Sequence, residues 1–222
     1  MEEAGEMTAI RDRRGLDVHV ARWEAADEAA AAALPVGYIR SLEGADSLIT
    51  LRHLERAWAD GLRALGPAHY GPGVYAQGTS TTGPFPARGI ELIRVADELG
   101  LILDVTHLSD ECLFQALEVY RGPVWASHHN ARALVPHQRQ LADEMFLALV
   151  ARGGVVGVAL DAWMMVPGWQ RGKSTPAAMG VGLATIVEHI DHYCQLAGNA
   201  RHVGIGSDLD GCFGTEQSPA DL

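Results

Sequence analysis

The sequence predicts an α/β protein with the (β/α)8 TIM-type barrel fold, incomplete, with about six of the eight strands present. Short apolar runs alternate along the chain with longer stretches of helical period. The runs are nearly continuous, which is typical of parallel strands buried on both faces of a sheet. Five of these six runs also contain, at or close to their ends, a residue that binds metals or moves protons: Glu43, His69, His107, His128 and Asp208.

The last observation separates two folds that share this alternation. In a closed barrel, the carboxyl ends of all strands converge on one face, where active sites lie. In an open doubly wound sheet, the same ends are spread along an edge, and ligands bind mainly at one switch point. Reactive residues at the ends of most strands therefore favour the barrel.

The individual elements follow from the same patterns. The strands are predicted at Val36–Glu43, Leu62–His69, Leu99–His107, Gly122–His129, Gly153–Asp161 and His202–Asp208. Helices are predicted at Leu51–Leu62, Ala87–Gly100, Ser109–Leu117, Gln138–Arg152 and Gly182–Leu196, with Ser109 as an N-cap and Gly100 as a C-terminal cap. The Ala-rich stretch Glu24–Ala33 predicts a solvated helix or spacer. We therefore divide the chain into an N-terminal helical or spacer segment, residues 1–35, and a partial barrel, residues 36–222.

Composition excludes several classes of function. The formal net charge of −11 argues against a nucleic-acid partner. The sequence contains no run of about 18 apolar residues, so it predicts no membrane span. The charged opening MEEAGEMTAIRDRR lacks the apolar core of a secretory signal. The three cysteines, Cys112, Cys194 and Cys212, are widely spaced and form no C-x-x-C pair. Such a set is typical of reduced thiols, so we expect a cytoplasmic protein.

The residues at the strand ends suggest a metal site. One histidine after an apolar run is most often structural, but His107 and His128 follow successive strands and are accompanied by Glu43 and Asp208. Imidazole and carboxylate groups suit zinc, and a catalytic zinc site keeps one position open for water. A carboxylate shared by two zinc ions holds them about 3.5–4 Å apart, as in two-metal hydrolases.

Five sequence strings resemble the membrane (renal) dipeptidase family of zinc peptidases, and in particular its bacterial members. Their order and spacing match the family over nearly the whole chain. The strings are LEGADSL (Leu42–Leu48), GPAHYGPG (Gly66–Gly73), LDVTHLSDE (Leu103–Glu111), WASHHNARALVPHQRQLADE (Trp125–Glu144) and HVGIGSDLDG (His202–Gly211).

The resemblance implies a role for each of six residues. Glu43 would bridge two zinc ions, and His107 and His128 would ligate the second of them. His69 would stabilise the developing oxyanion of the substrate. The two remaining residues would bind the ends of a dipeptide: Arg139 its carboxylate, through the guanidinium fork, and Asp208 its amine while it shuttles protons.

The expected activity is hydrolysis of small dipeptides by metal-bound hydroxide. Because the family often forms dimers, a homodimer is one expected assembly. Asp161 ends the fifth predicted strand and has no role in the resemblance, so we interpret it as a helix cap or as a group that supports the ligands.

The chain departs from the family pattern at its beginning and end. The family's first strand carries His-x-Asp, two ligands of the first zinc, whereas this chain opens at MEEAGEM, which resembles an internal helix of its relatives. The chain's own His-x-Asp, His189 to Asp191, lies in a stretch with helical period. Residues two apart on a helix face different directions, so these two cannot bind one metal ion together. We therefore expect a solvated helix there, and a chain truncated at both ends that holds one zinc or none.

Two other functions stay open at this point. One is a related two-metal amidohydrolase acting on a lactone, a β-lactam or an N-acyl amino acid, and the other is an inactive metal-binding fragment. Arg139 separates the first of these from a dipeptidase, because it matters only for substrates with a free carboxylate. The absent His-x-Asp strand favours the fragment, although Glu43, His107 and His128 still give the three protein ligands of a catalytic zinc site.

Overall fold

The computed structural model describes residues 1–211 and 213–222, so Cys212 lies outside the described residues. The strands are β1 (Met7–Ala9), β2 (Val36–Tyr38), β3 (Arg40–Glu43), β4 (Leu62–Gly66), β5 (Ile102–Asp104), β6 (Val124–Ala126), β7 (Val155–Val158) and β8 (Val203–Ile205). The helices are α1 (Arg13–Glu24), α2 (Glu28–Ala31), α3 (Leu51–Ala59), α4 (Ala87–Glu98), α5 (Asp110–Val119), α6 (Asp143–Ala151), α7 (Ala162–Met165), α8 (Pro176–Met179) and α9 (Leu183–Ala197).

The main sheet confirms the predicted fold class. Strands β3 to β8 form one parallel six-stranded sheet in strict chain order, each strand pairing with the next. A doubly wound sheet would reverse its order at a switch point, whereas sequential order is the winding of a (β/α)8 barrel. Five of the six predicted strands are present as single strands, whereas the first, Val36–Glu43, is divided. Its second half is β3, and its first half is β2, which pairs with β1 in a separate two-stranded sheet. Strands β3 to β8 together form the larger part of a barrel.

The predicted helices are also present, with shifted ends. Ser109 caps α5, since its hydroxyl accepts a hydrogen bond from the backbone N–H of Cys112 at 3.2 Å. Gly100 follows α4 with a φ of 67°, the left-handed conformation that ends helices. Helix α6 begins at Asp143, five residues later than predicted, so that Arg139 lies in a loop and not in a helix.

The N-terminal residues differ from the prediction. MEEAGEM does not form a helix: it turns at Gly5, whose φ is 74°, and leads into β1, which pairs in parallel with β2. The Ala-rich stretch is helical only at Glu28–Ala31, with every residue at least partly exposed. The division of the chain at residue 35 stays a prediction. Among the described residues, no helix has both the length and the apolar character needed to cross a membrane.

The carboxyl ends of β6, β7 and β8 are held close together by two glycines. A methyl group on Gly157 or Gly206 would overlap the carbonyl oxygen of Ser127. Glycine at both positions therefore allows the backbone after β6 to lie against the ends of β7 and β8. This close approach brings the residues that follow these three strands into one place.

His189 corrects our expectation of a solvated helix. Its side chain is buried on the inner face of α9, where Nδ1 accepts a hydrogen bond from the N–H of Ala131 and Nε2 donates to the carbonyl of Met165, both at 3.0 Å. Burial lowers its pKa, which is consistent with a neutral imidazole that donates at one nitrogen and accepts at the other. Its role is to connect α9 to the loops after β6 and β7.

Asn130 connects the same loops and gives a stability prediction. It is fully buried; its amide donates to the carbonyls of Ala159 and Met164, both at 3.1 Å, and its oxygen accepts from the N–H of Ala159 at 2.7 Å. Asn130→Ala leaves the carbonyl and the N–H of Ala159 unsatisfied, whereas the carbonyl of Met164 keeps its hydrogen bond from Nε2 of Gln140. We therefore expect the free energy of unfolding to fall by about 2–4 kcal/mol in urea titrations. Asn199→Ala, at an exposed residue with only local hydrogen bonds, is the matched control. Equal losses in the two variants would contradict the role given to Asn130.

Candidate active site

The residues at the strand ends line one cavity of about 410 Å³. Glu43 is the last residue of β3. His69, His107, His128 and Asp208 follow the ends of β4, β5, β6 and β8, respectively, within three residues. Arg139, from the loop between β6 and α6, lines the same cavity. The structure thus brings together all six residues that the sequence singles out: Glu43, His69, His107, His128, Arg139 and Asp208.

Three side chains point their donor atoms at one position. Oε1 of Glu43 lies 3.2 Å from Nε2 of His107 and 3.1 Å from Nε2 of His128, and the two Nε2 atoms are 3.3 Å apart. A tetrahedral zinc ion, 2.0–2.1 Å from each ligand, separates neighbouring ligand atoms by about 3.3–3.4 Å. The triangle formed by these three atoms therefore has the size of one face of a zinc tetrahedron.

Hydroxyl groups hold the other nitrogen of each imidazole. Nδ1 of His107 is 2.8 Å from Oγ1 of the buried Thr79, and Nδ1 of His128 is 2.8 Å from Oγ of Ser127. A hydroxyl can accept from Nδ1–H, which leaves the lone pair of Nε2 free for a metal ion, or donate to a bare Nδ1 when Nε2–H bonds Glu43. Both rings are thus oriented as metal ligands.

A single buried carboxylate orders the backbone before both histidines. Oδ1 of Asp104 accepts from the N–H of Thr106 at 3.0 Å and from the N–H of Ser127 at 3.1 Å. Each of these two residues immediately precedes a histidine of the cluster. His107 itself has a φ of 67°, in the left-handed region that non-glycine residues rarely adopt. Such backbone strain concentrates at functional sites.

The pKa shifts match the protonation states that a metal requires. Hydrogen bonds from His107 and then His128 hold the pKa of Glu43 well below its usual range. Burial lowers the pKa of His107 to about 3, against the opposing effect of Glu43. At neutral pH the cluster therefore presents a carboxylate and a neutral imidazole, both able to donate an electron pair.

His69 lies beside this cluster. One ligand atom each from Glu43, His69 and His107 falls within 4.8 Å of the other two, and the rings of His69 and His107 meet edge to face at 4.6 Å. This group is looser than the triangle that includes His128. His69 is also exposed to the cavity, whereas His107 and His128 are buried.

Arg139 is nearly completely buried, at 3% exposure, and lines the cavity. Its Nη2 donates to the carbonyl of His128 at 3.0 Å, whereas its Nη1 has no hydrogen-bond partner among the described residues. Burial lowers the pKa of the guanidinium. A buried cation with a free donor favours an anionic ligand, because an unsatisfied buried donor costs free energy.

Asp208 completes the set of residues predicted from the sequence. It is half-buried in the wall of the cavity, and its φ of 57° places it, like His107, in the left-handed region. Burial raises the pKa of its carboxyl group, and the nearby Glu43 raises it further. A carboxyl group with a raised pKa holds a proton more readily than an ordinary carboxylate and is therefore suited to exchanging protons with a substrate.

Comparison with known proteins identifies the family of the chain. Residues 10–221 match the sequence model of the membrane dipeptidase family, peptidase family M19. The chain belongs to the membrane dipeptidase family. An uncharacterized protein from the pqqA 5′ region of Klebsiella pneumoniae is 35% identical over 168 residues, which are 72% of this chain and 59% of that protein. An uncharacterized dipeptidase of Schizosaccharomyces pombe is 33% identical over 199 residues, which are 85% of this chain and 45% of the relative.

A solved structure shares the fold. A metallopeptidase from Rhodobacter sphaeroides, with a bound phosphinate mimic of L-Ala-D-Ala, superposes with a TM-score of 0.76 at 23% identity, covering 98% of this chain and 58% of that one. This chain therefore spans less than two thirds of the length of these membrane dipeptidase relatives. Its resemblance to the family, stated above from five sequence strings, is confirmed.

Several residues of this candidate site are not indicated by the sequence. Thr79 lies in the long connection between β4 and α4, where no periodicity places a side chain against His107. Asp104 and Ser127 are inside two of the quoted strings, but their sequence positions do not reveal the hydrogen bond between them. Asp161 occupies the N-cap position of α7, as one of our two interpretations expected, but its side chain makes no capping hydrogen bond there.

Proposed function

We propose that the protein is a zinc-dependent dipeptidase that hydrolyses small dipeptides of the cytoplasmic peptide pool. The observation that carries this proposal is the triangle of donor atoms from Glu43, His107 and His128, with separations of 3.1–3.3 Å, beside a buried arginine with a free donor. Two imidazoles and a carboxylate form a donor set that zinc prefers. A homodimer and a cytoplasmic location stay predictions.

These three side chains would hold one zinc ion in the site. When bound, zinc supplies an acidified water and polarises the substrate carbonyl. Three protein ligands would leave room at the ion for a water molecule or a substrate carbonyl, and all three line the cavity that a substrate would enter. Because the hydroxyls of Thr79 and Ser127 hold both rings, the ligands are ordered before the metal binds.

The remaining residues bind and transform the substrate. Nη1 of Arg139 would donate to the terminal carboxylate, and Asp208 would accept from the terminal ammonium. Asp208 would also take the proton of the attacking water and pass it to the leaving amine, so that water adds across the C–N bond. His69 would donate to the developing oxyanion from its exposed edge. Because both charged ends of the substrate are bound, the site would accept dipeptides and reject the interior of longer chains.

The zinc content and the turnover of the purified chain test this proposal. The phosphinate bound by the Rhodobacter metallopeptidase mimics L-Ala-D-Ala, so L-Ala-D-Ala and L-Ala-L-Ala are the first substrates to measure. We expect about one zinc per chain, because three protein ligands define one catalytic site. We also expect hydrolysis that a chelator abolishes and added zinc restores. Absence of zinc binding and of turnover in a folded chain would contradict the proposal.

Thr79 gives a prediction about metal affinity. Thr79→Val keeps the shape of the side chain and removes the hydroxyl that holds Nδ1 of His107. Loss of such a partner typically weakens metal binding by about 10- to 100-fold, and we expect that loss in competitive zinc titrations. Thr79→Ser should restore most of the affinity. Thr81→Val is the control, since Oγ1 of Thr81 bonds the carbonyl of Gly78 and contacts neither histidine. Equal zinc affinity in the two valine variants would show that the Thr79 hydroxyl is not needed.

A further inference from the structure

Asp161 is a buried acid in the active-site cavity that the proposed mechanism does not use. It follows β7, is 5% exposed and lines the same cavity as Asp208 and Arg139. Its Oδ1 has no hydrogen-bond partner among the described residues, and its side chain does not cap α7. Burying a carboxylate oxygen without a partner costs free energy, so this position favours a ligand that brings a cation or a donor.

Arg171 does not satisfy this carboxylate. Nη2 of Arg171 lies 3.9 Å from Oδ2 of Asp161, at the outer limit of an ion pair, and the arginine side chain is 64% exposed. Exposed ion pairs of this kind contribute little because water and salt screen them. The guanidinium also lies over the ring of Trp163, 5.5 Å from its centroid. Arg171 is therefore a loosely held cation that a ligand can displace.

The position of Arg171 indicates which ligand would fit. Its guanidinium lies over the face of Trp163 and beside Asp161, which shows that this wall of the cavity accepts a cation on an extended side chain. Trp163 and Met164 both line the cavity and offer apolar surface for a methylene stem. An aromatic face with a carboxylate beside it attracts an ammonium or guanidinium group.

The charges around Asp161 favour the same ligand. Burial, with a smaller contribution from Asp208, raises the pKa of Asp161 to about 6, against the opposing effect of the nearby N–H groups of Trp163 and of Arg171. The ionised forms of two acids that line one cavity are both stabilised by one additional cation.

We propose that Asp161 and Trp163 form a subsite for a cationic substrate side chain, so that the enzyme prefers dipeptides that contain lysine or arginine. This inference deepens the proposed function and rests on it. The subsite is separate from the group that binds the terminal ammonium, which the proposed mechanism assigns to Asp208. Arg171 would leave the subsite when such a side chain enters.

Binding of matched ligands tests the subsite. The probes are reduced-amide analogues of Lys-Ala and Ala-Lys, which cannot be hydrolysed, and their counterparts with norleucine, which has the shape of lysine without its charge. Calorimetric titration of the zinc-supplemented chain at physiological salt should give about tenfold or tighter binding of at least one lysine ligand over its norleucine counterpart, since hydrogen bonds to buried charged groups are the strong ones. Asp161→Asn should remove this selectivity. Asp210→Asn, which removes one charge at an exposed residue of the same cavity, should keep most of it.

Arg171→Ala provides a second test, in which the lysine ligand is expected to bind more tightly and not more weakly. Removing the competing cation should tighten the binding of the lysine ligand, and this gain should disappear when Asp161 is already Asn. Unchanged selectivity in Asp161→Asn, or a gain from Arg171→Ala that persists without Asp161, would overturn the subsite. Lysine selectivity in a chain that hydrolyses neither Ala-Ala nor Lys-Ala and Ala-Lys would overturn only the proposed function, and hydrolysis of Ala-Ala with no lysine selectivity would overturn only the subsite.

Discussion

Replacing Arg139 with alanine is expected to lower kcat/KM for L-Ala-L-Ala by about two to three orders of magnitude. Truncating one partner of a buried, hydrogen-bonded charge pair costs about 2–5 kcal/mol, and each 1.36 kcal/mol is a factor of ten in rate. Arg139 is 3% exposed, and its Nη1 is a free donor among the described residues. When alanine replaces it, the carboxylate of a bound dipeptide lacks its partner. Steady-state kinetics on the zinc-supplemented variant measure the effect.

The substrate itself supplies a control for this prediction. Amidation of the terminal carboxylate removes the charge that Arg139 would bind, so the variant and the wild type should hydrolyse Ala-Ala amide at similar rates. Arg201→Ala, at an exposed residue after α9, should leave both activities unchanged. If the wild type prefers lactones or carboxylate-free esters, and Arg139→Ala spares them, the site belongs to the related amidohydrolase that the sequence alone leaves open.

The fold could be predicted because burial on both faces leaves a simple pattern in the sequence. Strands β4 and β7 are enclosed on both sides, so their residues read as nearly continuous apolar runs. The site could be predicted for a related reason. Parallel strands of a barrel direct their carboxyl ends to one face, so residues at the ends of these runs converge without any knowledge of their contacts.

The parts that could not be predicted depend on contacts between distant segments. Strand β1 has three residues, too few for a periodic pattern, and is stabilised by pairing with β2 about thirty residues later. His189 has the period of a helix, but which face of α9 is buried depends on the loops that contact it. Thr79 orients His107 across 28 residues of sequence, a distance at which no local rule applies.

Glu43→Gln is expected to weaken zinc binding by more than about 100-fold and to reduce dipeptide hydrolysis below detection at limiting zinc. Glutamine keeps the size of the side chain but removes the negative charge that the ion requires from its carboxylate ligand. Oε1 of Glu43 is one corner of the triangle formed with His107 and His128, so this change removes one of three ligands. Competitive zinc titration and thermal unfolding measure the loss.

Thermal unfolding separates this effect from damage to the fold. Zinc at 100 times its dissociation constant should stabilise the wild type by about 2.7 kcal/mol over its own metal-free form, and this gain should vanish in Glu43→Gln when that variant is compared with its own metal-free form. Glu91→Gln, at an exposed residue of α4, should keep the full gain.

His69→Ala decides between the two sets of donor atoms. Retained zinc with reduced turnover is expected if His69 acts on the substrate, whereas loss of zinc would mean that the wider group of Glu43, His69 and His107 holds the ion.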